Sequence, residues 1–304
     1  MHVMRRLIGN YKGEIVYKRK ARVAQKNEQP RADVEALRAR LTSAHNQILQ
    51  ILENQASLFQ LTSTTFTLEL AGRRHLPKLP PAYFFKGSAP RELLRRILFP
   101  KGRTLKVRDY DLVRFTESCD TQDHELALKY MEDDYEFGRG VEVIESKEVY
   151  FKTRDLTVNE VLFWDRYLEA SFAAAQDLQD GVLRPTPYVL DAEGNVQGRT
   201  LMKALRLWAE ALVQNIPLEL EGFPESAHAV PFDVALHLDR AFALSRETAQ
   251  EYVIAAWRRG IIMPQRDTPP SLAETVKSLS KQLKQGLAFF HHLPLDVMHE
   301  LSFS

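Results

Sequence analysis

Residues 157–178 read TVNEVLFWDRYLEASFAAAQDL, and the class of the fold turns on how this run is read. Its apolar residues recur closely enough to predict one helix with a broad apolar face. On that reading the chain is α+β and predominantly helical, with an irregular mixed α/β N-terminal half and a helical C-terminal half. A boundary is then expected near 152–156. Four segments follow: a basic N-terminal segment 1–30, a long heptad-patterned helix 31–61, a basic then acidic mixed α/β region 62–155, and a helical domain 156–304.

The heptad reading rests on Val34, Leu37, Leu41, Ala44, Ile48, Ile51, Gln55 and Leu58, which alternate at spacings of three and four. Over 33–60 such a helix offers a seam for self-association or for a protein partner, or else packs on its own domain. TSTTFTLEL (62–70) alternates as a strand does, and residues 104–115 and 141–151 read as strands too. SAPRELLRRILF (88–99) predicts a short helix capped by Ser88, with Pro90 in its first turn. PYVLDAEGNVQGRTL (187–201) predicts a hairpin around Glu193-Gly194-Asn195, and from Thr200 the pattern is mostly helical to Leu287.

Composition bounds the class. The chain has 304 residues, 44% hydrophobic and 27% charged, the proportions of a globular protein able to bury a core. No apolar run approaches a membrane span, and the first twenty residues lack a secretory signal, so no membrane partner and a cytoplasmic location are expected. A single cysteine, Cys119, excludes an internal disulfide framework and a multi-cysteine zinc module.

The net charge of +1 conceals a strong asymmetry. Residues 1–31 carry nine Lys/Arg against two acids; Arg73–Arg108 carry eleven against one; Asp109–Glu148 carry four against thirteen. A basic front followed by an acidic block points to a polyanionic partner, or to two parts of one protein that attract each other. Within the basic block Arg73, Arg74, Lys78, Lys86, Arg95, Arg96, Lys101, Arg103 and Lys106 surround Tyr83, Phe84 and Phe85. Cations for phosphates with aromatics for bases is the pairing that binds nucleic acid, and either that or an aromatic anchor in a core explains the pattern.

Residues 231–262 add a second candidate. Pro231 opens a helix, Ala243-Leu244 turn the chain, Ser245 caps a second helix, and Gly260 ends it. The run LSRETAQEYVIAAWRRGII (244–262) resembles the second helix of winged helix-turn-helix domains, with their Leu-Ser-Arg-Glu-Thr opening and final Gly-Ile. That resemblance covers about thirty residues, 232–262, and implies a helix-turn-helix-like unit that meets DNA through Arg246, Gln250, Arg258 and Arg259, or packs against protein.

The expectation is therefore a non-catalytic nucleic-acid-binding protein, DNA being favoured, dimeric or one subunit of a larger complex, with no cofactor. Two alternatives stand beside it. In GVEVIESKEVYF (140–151), strand alternation sets Glu145 and Lys147 on one face; with Asp134 upstream they resemble the D…ExK arrangement of restriction-type nucleases. There Asp134 and Glu145 would hold Mg²⁺ or Mn²⁺, and Lys147 would steady developing charge. Alternatively Glu145-Ser146-Lys147 is a surface turn between two strands. The last reading is an assembly subunit contacting proteins alone.

Overall fold

The computed structural model describes residues 56–302 apart from 72–78, 80–81, 100, 106, 108–109, 119–136, 226–227 and 284–285, with the backbone alone at 137–140. Among these residues the protein is a mixed α/β fold, a seven-stranded sheet with eight α-helices. The strands are β1 (Ala56–Leu61), β2 (Thr65–Leu70), β3 (Tyr83–Lys86), β4 (Tyr110–Phe115), β5 (Phe137–Ile144), β6 (Val161–Trp164) and β7 (Tyr167–Ser171). Their order across the sheet is β1-β2-β7-β6-β3-β4-β5, antiparallel throughout except for the parallel pair β4–β5.

The run 157–178 is a hairpin followed by a helix. Trp164 pairs with Tyr167 across a two-residue turn in which Asp165 takes φ 49°, and α3 (Phe172–Asp180) begins only after Ser171 caps it through the Ala174 N–H. The misreading has a physical source. Val161 and Phe163 enter one core while Leu162 enters another on the opposite face, so both faces of β6 are covered and its sequence is apolar without alternation. The hairpin follows the boundary expected near 152–156, close to position 155. β7 pairs with β2 and β6 with β3, so both sides of that position belong to one sheet.

Other expectations shift for local reasons. Residues 31–55 lie outside the described residues, and Leu58, the last seam position, is in β1, where Leu58 faces Leu68 of β2. The turn that reverses the chain there is built on Thr62, whose hydroxyl oxygen accepts the Thr65 N–H at 2.8 Å. The hairpin expected over 187–201 shrinks to one bridge, Leu190 to Val196. The Asp191 carboxylate closes that loop by accepting the Glu193 and Asn195 N–H groups, and α4 (Gly198–Val213) starts immediately after. After Ile144 the strand gives way to a helix, α2 (Lys147–Lys152), because the Ser146 side chain caps it at 3.2 Å from the Val149 nitrogen.

Helix α1 (Ser88–Leu98) spans the expected stretch, but Gly87 is its N-cap, at φ 75° and ψ −131°, and Ser88 is its first residue. It packs Leu94, Ile97 and Leu98 on the face of the sheet that carries Phe85, Leu112 and Phe163. The opposite face carries Phe84, Val113 and Phe115 under Tyr150 of α2. A two-residue parallel pair, β8 (Val182–Leu183) with β9 (Glu219–Leu220), stands apart from the main sheet.

The remaining helices are α5 (Pro231–Phe242), α6 (Arg246–Arg258), α7 (Leu272–Leu283) and α8 (Leu295–Ser302). The side chain of Ser245 caps α6 through the Thr248 N–H at 3.0 Å, and Ala249, Val253 and Ala256 are wholly buried. Gly260 follows at φ 68°, and among the described residues no strand comes after α6. Helix α4 joins the two large cores: Ala204, Leu207 and Ala211 pack on the sheet side, Leu201, Met202, Leu205 and Ala209 on the helical side. No helix among the described residues is long and apolar enough to cross a membrane.

Candidate functional site

Among the described residues the cations chosen from the sequence fall in different settings. Arg73, Arg74, Lys78 and Lys106 lie outside the described residues, as does Asp134. Tyr83, Phe84 and Phe85 are 1%, 8% and 1% exposed, so the aromatic trio is core and closed to base stacking. β3 is the reason: a strand covered on both faces has no open side. Arg95 is buried on α1, where its Nε donates to the Arg103 carbonyl at 3.3 Å and burial lowers its pKa. Arg96, Lys101 and Arg103 are exposed around the end of α1, Arg103 donating to the Gln214 carbonyl at 2.9 Å.

Nor do the residues of α6 converge. Arg246 pairs with Asp296 and Glu300 of α8, and Gln250 is half-buried. Arg258 is exposed and Arg259 half-buried, about 18 Å further along at the helical rise. Glu145 and Lys147 do not share a strand face, since Lys147 opens α2. Glu145 is exposed, whereas the Lys147 ammonium meets Glu169 at 2.8 Å and lies 3.9 Å from the Trp164 ring. Lys147 is thus held against the sheet by Glu169 and Trp164.

A different set of residues does come together. Cross-strand register pairs Lys86 of β3 with Asp111 of β4, and Val113 of β4 with Glu142 of β5. Asp111 and Val113 are two apart, so Lys86, Asp111 and Glu142 share one face of the sheet, the face opposite α1. They line a cleft of about 630 Å³ whose other wall is α4 and α5, and whose charged residues are Lys86, Asp111, Glu142, Arg154, Asp155, Arg199, Lys203 and Arg240. Five cations therefore face three carboxylates, with His237 beside them.

Two helices begin at this cleft. Gly87 and Gln197 both line it, and as the N-caps of α1 and α4 neither offers a side-chain hydrogen bond to its helix. The first N–H groups of a helix have no intrahelical partner and carry its positive end, a setting that favours anions. Gly87 is demanded by the site itself. A Cβ on it would stand 3.0 Å from the Asp111 Oδ2, on a backbone that L-residues avoid.

The carboxylates are held under tension of charge. Glu142 accepts both Arg154 Nη atoms at 3.1 Å and meets Lys86 at 3.2 Å. Burial pushes its pKa up, but the Arg154 hydrogen bonds and the two positive charges outweigh this and hold it below the usual carboxylate range. Asp155 behaves likewise: burial opposes ionisation, and Lys203 at 2.6 Å with the Asn159 amide at 2.8 Å keeps it ionised well below the ordinary range. Asn159 in turn accepts from Arg91 at 3.2 Å, and Arg91 pairs with buried Glu92 at 2.8 Å. A continuous polar chain thus ties α4 to α1 through the loop after α2.

Asp111, Glu142, Arg154, Asp155, Arg199, Lys203, Arg240 and His237 were all missed by sequence reasoning. One local trace existed: YFFKGSAPRELLRRIL (83–98) is a strand, a glycine and a helix, and DYDLVRF (109–115) alternates acidic and apolar residues behind it. Among the described residues no group of three or more His, Cys, Asp or Glu is close enough to hold a metal ion. Asp111 and Glu142 are a pair of oxygen donors, the number with which magnesium sites that also bind phosphates are commonly built.

No family model matches the chain, and no curated protein does. Among solved structures the chain is similar to one described as a "tRNA-processing enzyme (apo form I)", at 12% identity and a TM-score of 0.41, over 86% of this chain and 66% of that one.

Proposed function

We propose that the protein is a divalent-metal-dependent phosphoryl-transfer enzyme whose cleft takes a polyphosphate ligand. The observation that carries this reading is the convergence of Lys86, Asp111 and Glu142 on one sheet face, beside the Gly87 N-terminus of α1, in a cleft with five cations. Asp111 and Glu142 would hold Mg²⁺ or Mn²⁺, which would neutralise charge on the phosphates. The N–H groups opening α1 and α4 receive phosphate oxygens, and Lys86, Lys203, Arg199 and Arg240 balance the remaining charge. Arg154 orients Glu142 through its bidentate contact, and Asp155 orients Lys203. Transfer chemistry of this kind asks a protein for position and charge more than for covalent partners, and the cleft supplies both.

The test is direct. The full-length protein is incubated with Mg²⁺ or Mn²⁺, each of the four nucleoside triphosphates and a single-stranded RNA or DNA acceptor, and released pyrophosphate or phosphate is measured. Release is expected from the native chain and is lost in Asp111→Ala and in Glu142→Ala. Absence of release under every combination, together with no metal-dependent binding of tripolyphosphate, overturns the reading.

A second reading, non-catalytic nucleic-acid binding, is favoured by Arg96, Lys101 and Arg103, which stand exposed together around the end of α1. Retardation of single- and double-stranded DNA and RNA over a salt series tests it. Neutralising these three residues together should flatten the salt slope by about two to three units.

A further inference from the structure

We infer that His237 distinguishes a nucleoside polyphosphate from a bare polyphosphate, by giving a hydrogen bond to the uncharged nucleoside part of the ligand. The inference rests on the cleft being a polyphosphate site. His237 lies on α5 and lines the cleft, yet it is only 1% exposed, and neither ring nitrogen has a hydrogen-bond partner among the described residues. A buried donor and acceptor left unmatched cost folding free energy, and a ligand in the cleft would match them.

What the imidazole can offer follows from its neighbours. Burial, then the charges of Arg206, Arg240, Lys203 and Arg199, keep it from taking a proton, so its pKa is well below the ordinary value. Among the described residues no carboxylate is hydrogen-bonded to it. Asp239, two residues on, is engaged by the His292 backbone N–H and ring at 2.9 Å each. Asp233, earlier on α5, is itself driven toward its neutral form by burial, with Arg199 opposing. Asp155 is taken by Lys203 and Asn159, Glu142 by Arg154 and Lys86, and Asp111 sits across the cleft beside Gly87. On α6, which packs against α5, the Tyr252 hydroxyl donates to the Val234 carbonyl at 3.1 Å. A neutral imidazole presents one N–H and one lone pair, which suit an amide, amidine or hydroxyl of a nucleoside and add no charge for a phosphate. The cations hold the charged part of the ligand; the neutral ring reads the rest.

The experiment compares dissociation constants for tripolyphosphate and for ATP, GTP, CTP and UTP, all with Mg²⁺, in the native chain, His237→Phe and His237→Gln. At least one nucleotide should bind the native chain about tenfold more tightly than tripolyphosphate, the difference that one complemented buried hydrogen bond supports. In His237→Phe that preference should fall to less than about threefold with tripolyphosphate affinity unchanged, and His237→Gln should keep part of it. The preference should also show no step at the ordinary imidazole pKa, because burial and the surrounding cations hold the ring's own well below it. His237→Met serves the same purpose if the phenylalanine variant does not fold. An undiminished nucleotide preference in the apolar variants overturns this inference and leaves the cleft reading standing. Failure of the native chain to bind any of the five ligands overturns both.

Discussion

Replacing Gly87 by alanine tests whether the α1 N-terminus and Asp111 are built against each other. Two costs add. At φ 75° and ψ −131° the backbone is outside the regions open to residues with a Cβ, a strain of about 1–3 kcal/mol. The new Cβ would also stand 3.0 Å from the Asp111 carboxylate and must displace it. Against these, alanine narrows the unfolded ensemble by about 0.4–1 kcal/mol. Gly194 is the internal control, since at φ 84° it has nothing within 4 Å of its would-be Cβ. Gly194→Ala therefore carries backbone strain alone, about 1 kcal/mol, whereas Gly87→Ala should cost about 2–3 kcal/mol. Urea denaturation followed by the fluorescence of the three tryptophans gives both values from midpoints at constant slope. Metal-dependent tripolyphosphate binding should weaken in Gly87→Ala and not in Gly194→Ala. Equal midpoint shifts for the two variants, within about 0.5 kcal/mol, would refute the reasoning, because the contact with Asp111 would then carry no weight.

Three further outcomes are expected. Burial, with a smaller contribution from Asp177, raises the Glu160 pKa from 4.5 to about 7. The stability gained by protonating it is present below pH 4.5 and lost as pH rises through 7, so Glu160→Gln should gain about 3 kcal/mol over the native chain between pH 5 and 8. A pH-independent difference in denaturation midpoints would contradict this. Tyr150→Phe should cost about 1–2 kcal/mol, since its wholly buried hydroxyl lies 3.2 Å from the Asn159 carbonyl and 3.1 Å from that of Val161; a thermal midpoint within a degree of native would count against it. Ser245→Ala should cost about 1 kcal/mol through loss of the α6 cap. Arg246→Ala, which removes exposed pairs with Asp296 and Glu300, should cost under about 0.5 kcal/mol, and the order of the two in thermal melts decides the point.

What the linear chain determined by itself is local. Pro231, Ser245 and Gly260 delimit α5 and α6, because capping, a preset φ and a left-handed terminus act within a turn or two. The strand TFTLEL and the helix SAPRELLRRIL are legible for the same reason. The length, composition and absence of a long apolar run bound the class of protein without reference to any contact.

Tertiary structure alone decided the rest. Nothing in VLFWDRYLEAS says that both faces of its strands will be covered, and two-sided burial erases the alternation by which strands are recognised. The counts of charge along 73–148 were real, but a count carries no direction. Arg95 is turned into the protein, Lys86 toward Glu142, and Tyr83 to Phe85 into the core. The candidate site joins Lys86, Asp111, Glu142, Asp155, Lys203 and His237 across 151 positions of sequence. Their meeting depends on strand register and on where α4 and α5 pack, both set by long-range burial and neither by any local propensity.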